Sequence, residues 1–179
     1  MKFVETKLGG VWLIELDPRE DERGFLARTY SEEAFAERGL NVRWPECNVS
    51  YTRLRGTIRG MHFQAIPHEE TKLIRCSAGA IFDVLVDVRR ESPTFGQWQG
   101  FDLAERNRFQ LYVPGGIAHG FQTVSDHAQV SYQMSACYVP GLARGIRHDD
   151  PAIGMKWPLS VSVISERDRN LPLLSQLQP

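Results

Sequence analysis

The stretch "AIFDVLVDVR", residues 80–89, is apolar except for Asp83, Asp87 and the closing Arg89. Strand side chains point in turn to opposite faces, so Phe82, Val84, Val86 and Val88 share one face while Asp83 and Asp87 share the other. The spacing predicts a strand with one packed face and one wet face, the wet side being a cavity wall lined by Asp83. The pattern repeats outward on both sides. "VWLIEL" (11–16), "FLARTY" (25–30), "TKLIRC" (71–76), "WQGFDL" (98–103), "RFQLYVP" (108–114), "QVSYQMSACYVP" (129–140) and "VSVIS" (161–165) are β-branched, aromatic or alternating, and many end at turn-forming residues. Helical signals are few. "SEEAFAERGL" (31–40) has Ser31 as an N-cap, acidic residues in its first turn and Gly39 as a stop, and Ser165 with Asp168 reads as a capping pair before a second short helix. Short strands at regular spacing, with no repeat, linker or low-complexity tract between them, predict an all-β sandwich or barrel with residues 1–179 as one domain.

The totals narrow the function classes. A formal net charge of −1 gives no electrostatic reason to expect nucleic acid or an anionic membrane as partner. The opening "MKFVETKLGGVW" carries neither a signal-peptide pattern nor a membrane-spanning run. The three cysteines, Cys47, Cys76 and Cys137, are odd in number and widely spaced, which suits reduced thiols. The expectation is a cytoplasmic protein.

Chemistry concentrates in "GTIRGMHFQ" (56–64), a strand-like stretch holding Arg59 and His62 three residues apart. Opposite parity would send the two to opposite faces. Gly60 between them is the residue that marks a bulge, and one extra residue would turn both side chains to a single concave face. An unperturbed imidazole titrates near neutral pH, so His62 suits general base work, with Asp168 as orienting carboxylate, Lys72 facing developing oxyanion charge and Tyr132 as proton donor. Each has a bland counterpart. His62 is also a reasonable structural histidine, Asp168 a capping group, Lys72 an edge lysine, Tyr132 a core aromatic and Asp83 a solvated carboxylate.

The stretch "QLYVPGGIAHGF" (110–121), with P-x-G-x-x-H ending at His119, resembles the second motif of cupins, small double-sheet jelly rolls with a central site. Metal-binding cupins carry H-x-H in the first motif. Here His62-Phe63-Gln64 puts an amide at the second ligand position, where Gln64 is a cavity-lining residue and a weak ligand beside imidazole. Glu69 and Glu70 are the carboxylates nearby. No metal and no cofactor are expected. A metal-dependent cupin and a non-catalytic binding cupin are the competing classes.

"RGMHFQ", "KLIRC", "FDVLVDVRRESPTFGQW", "QLYVPGGIAHGF", "WP" at 157–158 and "SERD" at 165–168, in this order from about Asp21 to Leu174, resemble the dTDP-4-dehydrorhamnose 3,5-epimerase family. The resemblance implies a cupin-type double-stranded β-helix with a few short peripheral helices and a homodimer exchanging N-terminal strands. It implies cofactor-independent epimerisation at C3 and/or C5 of a nucleotide-linked 4-keto-6-deoxyhexose in deoxysugar biosynthesis. His62 would be the base, Asp168 its orienting partner, Tyr132 the acid and Lys72 the enolate stabiliser. Arg59, Asn48, His119 and Arg167 would contact substrate, Tyr138 would stack on the base, and Arg23 and Phe25 would reach in from the partner subunit.

The chain departs from the family pattern at Arg28, Glu46, Ala143 and His148, which stand where the pattern has Glu, Gln, Glu and Trp. Arg28 and Glu46 are expected to be a compensating pair at the ligand. These departures leave open a single-centre 3- or 5-epimerase for another nucleotide sugar.

Overall fold

The computed structural model describes residues 1–177. Thirteen strands and two short α-helices follow in chain order: β1 Lys2–Glu5, β2 Trp12–Glu15, β3 Arg19–Asp21, β4 Gly24–Leu26, α1 Glu32–Ala36, β5 Glu46–Thr52, β6 Ile58–Gln64 and β7 Lys72–Ala78. After these come β8 Ala80–Asp87, β9 Trp98–Ala104, β10 Gln110–Val113, β11 Ile117–Thr123, β12 Ala128–Met134, β13 Ala143–Gly145 and α2 Glu166–Arg169. One sheet runs β1-β2-β10-β7-β12-β5 and a second runs β13-β6-β11-β8-β9, with β3-β4 a separate hairpin. All the strand pairs of the two main sheets are antiparallel. The two sheets pack face to face as a cupin-type jelly roll.

Strand alternation accounts for the layers. On β8, Ile81 and Leu85 point between the sheets and join Ile74, Leu111, Phe121 and Val130 in the central core. Val84 and Val86 point the other way, where Ile146, Ile153 and Met155 cover them. Outside the six-stranded sheet, Phe35 of α1 packs with Ile14, Leu73 and Tyr112. The reading of β8 therefore needs correction, because neither of its faces is wet. Asp83 and Asp87 are fully buried, and each is paired instead of hydrated. Asp87 accepts from the backbone N–H of Arg89 at 3.0 Å and from its guanidinium at 2.9 and 2.6 Å. The Ser92 and Thr94 hydroxyls add two bonds of 2.6 Å. A buried carboxylate with this many donors knots the β8–β9 turn.

Several predicted boundaries differ. α1 stops at Ala36, and the Ser31 side chain makes no cap hydrogen bond. The strand read at 25–30 ends at Leu26, the one read at 129–140 ends at Met134, and 161–165 contributes only a bridge between Val163 and Thr57. Val161 and Val163 are 42% and 45% exposed, so their alternation reflects no packed face. Strands β1, β3, β5, β11 and β13 lie outside the strands read from the sequence.

Candidate active site

The irregularity expected at Gly60 is present, while of the two side chains it was expected to turn inward, His62 lines the cavity and Arg59 does not. Opposite β11, His119 pairs with His62 and Phe121 with Arg59, so three steps on β6 face two on β11. Gly60 sits at this irregularity with φ +103°, and a Cβ there would lie 2.6 Å from the His119 carbonyl oxygen and 2.7 Å from Gly120 Cα. The extra residue brings His62 beside His119 on the inner face of the five-stranded sheet.

A cavity of about 320 Å³ opens between the sheets, lined by His62, Gln64 and His119 on one side and by Asn48, Lys72 and Tyr132 on the other. The second group belongs together by register, since Tyr132 pairs with Asn48 across β12–β5 and Met134 with Lys72 across β12–β7. Tyr138 and Arg167 complete the mouth.

His62 and Asp168 are 106 residues apart in sequence and hydrogen-bonded at 2.7 Å, Nε2 to Oδ1. The His62 side chain is 39% exposed to the cavity side while Asp168 is 8% exposed behind it. Asp168 Oδ2 accepts from the Gly60 N–H at 3.0 Å, and the Asp168 N–H donates to Ser165 Oγ at 3.0 Å. Ser165 is thus the capping side chain, and the Asp168 carboxylate, read as a capping group, bonds His62 and the Gly60 amide instead. Burial works to raise the Asp168 pKa, but hydrogen bonds from His62 and the Gly60 amide outweigh it and hold the carboxyl below its usual range. An ionised carboxylate only accepts, so Nε2–H of His62 donates to Asp168, and in the neutral ring the lone pair lies on Nδ1.

A second histidine–carboxylate pair lies alongside. His119 Nε2 is 2.8 Å from Asp83 Oδ2, with both side chains nearly inaccessible. Burial raises the Asp83 pKa against the pull of His119, and among the described residues Asp83 Oδ1 has no hydrogen-bond partner. Asp83 was expected on the cavity wall; it lies behind His119 instead. The His119 ring meets Tyr132 edge-on at 5.8 Å. Burial, with Asp83 adding to it, pushes the Tyr132 phenol well above its ordinary pKa, so the hydroxyl stays protonated at neutral pH.

Other expected residues fall in different places. Gln64 lines the cavity, but its amide is used structurally, donating to the His68 and Cys137 carbonyls at 2.6 and 3.2 Å and accepting from the Val139 N–H at 2.8 Å. Among the described residues, no group of three His, Cys, Asp or Glu is arranged to hold a metal ion. Arg59 stands outside the lining, its guanidinium donating to Thr52 Oγ1 and the Tyr51 carbonyl at 2.9 and 3.2 Å. Arg23 pairs with Asp21, and Phe25 is 52% exposed beneath the Arg108 guanidinium; both lie away from this chain's own cavity. Arg28 and Glu46 are not paired within the chain. Arg28 lines a separate hollow with Asp17 and Arg19, and Glu46 accepts from the Tyr138 N–H at 3.3 Å.

Sequence reading passed over Ser50, Phe63 and Met134, which also line the cavity, and raised Glu70, another lining residue, only as a carboxylate near the first cupin motif. The first three share strand parity with named site residues or neighbour them directly, a signal available once β5 and β12 are drawn. Glu70 carries no such signal.

Comparison with known proteins places this fold first among carbohydrate epimerases of the cupin type. The structure matches the dTDP-4-dehydrorhamnose 3,5-epimerase of Bacillus anthracis, solved with TDP and PPi bound, with a TM-score of 0.93 and 40% identity over 96% of this chain and 98% of that one. It matches the dTDP-6-deoxy-D-glucose-3,5-epimerase of Legionella pneumophila, solved in complex with dTDP-4-keto-L-rhamnose, with a TM-score of 0.93 and 34% identity over 99% and 94% of the two chains. The dTDP-4-dehydrorhamnose 3,5-epimerase of Methanothermobacter thermautotrophicus is 43% identical over 172 residues, 94% of this chain and 92% of the relative. The sequence profile described as dTDP-4-dehydrorhamnose 3,5-epimerase matches residues 5–176. The chain belongs to the dTDP-4-dehydrorhamnose 3,5-epimerase family, whose members are isomerases acting on nucleotide-linked sugars.

Proposed function

We propose that this chain converts dTDP-4-dehydro-6-deoxy-D-glucose to dTDP-4-dehydro-L-rhamnose by inverting C3 and C5. The observation that carries the reading is the placement of His62, oriented by Asp168 at 2.7 Å, on one sheet and of Tyr132 on the facing sheet of the same cavity. The C4 ketone acidifies the hydrogens at both neighbouring carbons, so one enolate-stabilising group serves two centres. His62 Nδ1 takes the proton from one face of the ring, Lys72 holds the enolate oxygen, and the protonated Tyr132 phenol returns a proton to the other face. The removed hydrogen leaves with solvent as the histidine re-equilibrates, and the Tyr132 phenolate regains a proton from solvent before the next inversion. Asn48, His119 and Arg167 contact the sugar nucleotide and Tyr138 stacks on its base; Arg59 swings from its Tyr51 contact to the diphosphate.

Residues 1–179 act as one domain in a cytoplasmic homodimer with exchanged N-terminal strands. The distance of Arg23 and Phe25 from this chain's own cavity supports delivery of both to the partner's site. No helix of the described residues is long and apolar enough to cross a membrane.

Proton NMR of the substrate in deuterium oxide tests the reading. Loss of both the H3 and H5 signals, abolished in His62→Ala, is the expected result. Loss of one signal alone assigns a single-centre epimerase, and silence with this and other 4-keto sugar nucleotides overturns the reading.

A further inference from the structure

The six residues between Gln64 and Thr71 include two adjacent glutamates whose side chains part. A Cβ on Gly115 would fall 2.8 Å from Glu69 Cβ, so Glu69 packs beneath the Pro-Gly-Gly turn. Glu70 turns into the cavity, where Oε1 lies 2.9 Å from Lys72 Nζ. The pair is nearly closed to solvent, at 11% and 7% side-chain exposure. Ion pairs at the surface contribute little, whereas a pair withdrawn from water persists only where geometry and further hydrogen bonds compensate the desolvation.

Both supports are present. Thr71, between the two residues, exchanges hydrogen bonds with Ser135 on both sides: its N–H donates to Ser135 Oγ at 2.8 Å, and its carbonyl accepts from the Ser135 N–H at 3.0 Å. Glu70 is thereby anchored to the end of β12, the strand that carries Tyr132. Lys72 Nζ donates to the His62 carbonyl at 3.4 Å. An ammonium group carries three N–H donors. Glu70 Oε1 holds the ammonium by charge at 2.9 Å, so N–H donors remain for the cavity that Lys72 lines.

We propose that Glu70 is a positioning residue for the proton-transfer reaction, its charge fixing the Lys72 ammonium so that an N–H meets the sugar's C4 oxygen as enolate charge develops. Without the carboxylate, a flexible four-carbon side chain samples other rotamers and meets the enolate only part of the time. This inference rests on the epimerase reading and adds to it a residue that does not touch the substrate but acts through one that does.

The test uses solvent-deuterium exchange kinetics and turnover of the full-length protein on dTDP-4-dehydro-6-deoxy-D-glucose for Glu70→Gln, Glu70→Asp, Lys72→Met and the double variant Glu70→Gln/Lys72→Met. A neutral amide attracts the ammonium less than the charged carboxylate does, so Glu70→Gln is expected to lower kcat about tenfold with KM changed less than about twofold. Glu70→Asp keeps the charge and recovers part of the loss. The decisive comparison is the double variant, which should be no slower than Lys72→Met, because Glu70 has nothing left to position. Multiplying losses, or a Glu70→Gln enzyme with wild-type kcat, would overturn the inference while leaving the epimerase reading intact. A wild-type protein silent with 4-keto sugar nucleotides would overturn both.

Discussion

Gly60→Ala is the substitution that reaches furthest into both fold and site. The backbone at Gly60 has φ +103°, a region that a residue with a side chain enters at about 1–3 kcal/mol. The added methyl would lie 2.6 Å from the His119 carbonyl oxygen and 2.7 Å from Gly120 Cα, both backbone atoms that cannot rotate away. Overpacking of this kind costs about 1–3 kcal/mol, so the two effects together come to roughly 2–6 kcal/mol against a domain stability of about 5–15 kcal/mol. Relief from 2.6 Å to an ordinary 3.4 Å contact needs about 0.8 Å of movement in β6 or β11. That movement acts where the Gly60 N–H holds Asp168 and two residues from His62. A 1 Å misplacement of a reacting group costs about a hundredfold in rate, so the surviving folded enzyme should lose about 30- to 100-fold in exchange. Urea unfolding followed by deuterium exchange on the folded fraction measures both. A Gly60→Ala protein as stable as wild type, with exchange within about threefold, would refute the claim that this bulge sets the position of the base.

Other expectations follow from individual contacts. Asp168→Asn should reduce exchange at least about a hundredfold while the protein stays folded, because an amide presents the wrong partner to His62. The Asp168 pKa lies lower in the folded than in the unfolded protein, so its stabilisation is complete above the ordinary carboxylate range and is lost as pH falls through the folded value. Wild type should therefore lose stability on acidification more steeply than Asp168→Asn, which parallel acid titrations would show. Asp87→Ala should destabilise by about 3 kcal/mol in chemical denaturation, because it strands the Arg89, Ser92 and Thr94 donors of a fully buried carboxylate. Burial pushes the Cys76 thiol up to about 11, so iodoacetamide at pH 8 should leave Cys76 unmodified in the native protein and label it after denaturation, as peptide mass spectrometry would read.

What the sequence made legible follows the physics of alternation. β12 shows a clean period of two, β8 shows it only in the shared parity of Asp83 and Asp87, and the Arg59-Gly60-His62 spacing forced either a bulge or a parity conflict, so the inward turn of His62 was accessible without coordinates. Ser165 and Asp168 announced their cap by spacing. β11 was hidden because "IAHGFQT" is buried on both faces and therefore does not alternate, although it carries His119. β5 was hidden for the opposite reason: "ECNVSYT" is an edge strand with a cavity on one face and an exposed surface on the other, so neither face is strongly apolar. Asp83 was misplaced because parity reports the side of a strand and not the depth of the residue. Glu70 leaves no periodic trace, since its role depends on a loop returning to β12 through Thr71 and Ser135.

The central claim is that base and acid stand on opposite walls of one cavity, and Tyr132→Phe separates their roles most directly. In deuterium oxide, wild type should couple the loss of each substrate hydrogen to inversion at that carbon. The variant keeps His62 and loses the opposing acid, so deuterium should enter with retained configuration while inversion falls by about 10²–10⁴-fold. A Tyr132→Phe enzyme that inverts both carbons at the wild-type rate would contradict the account.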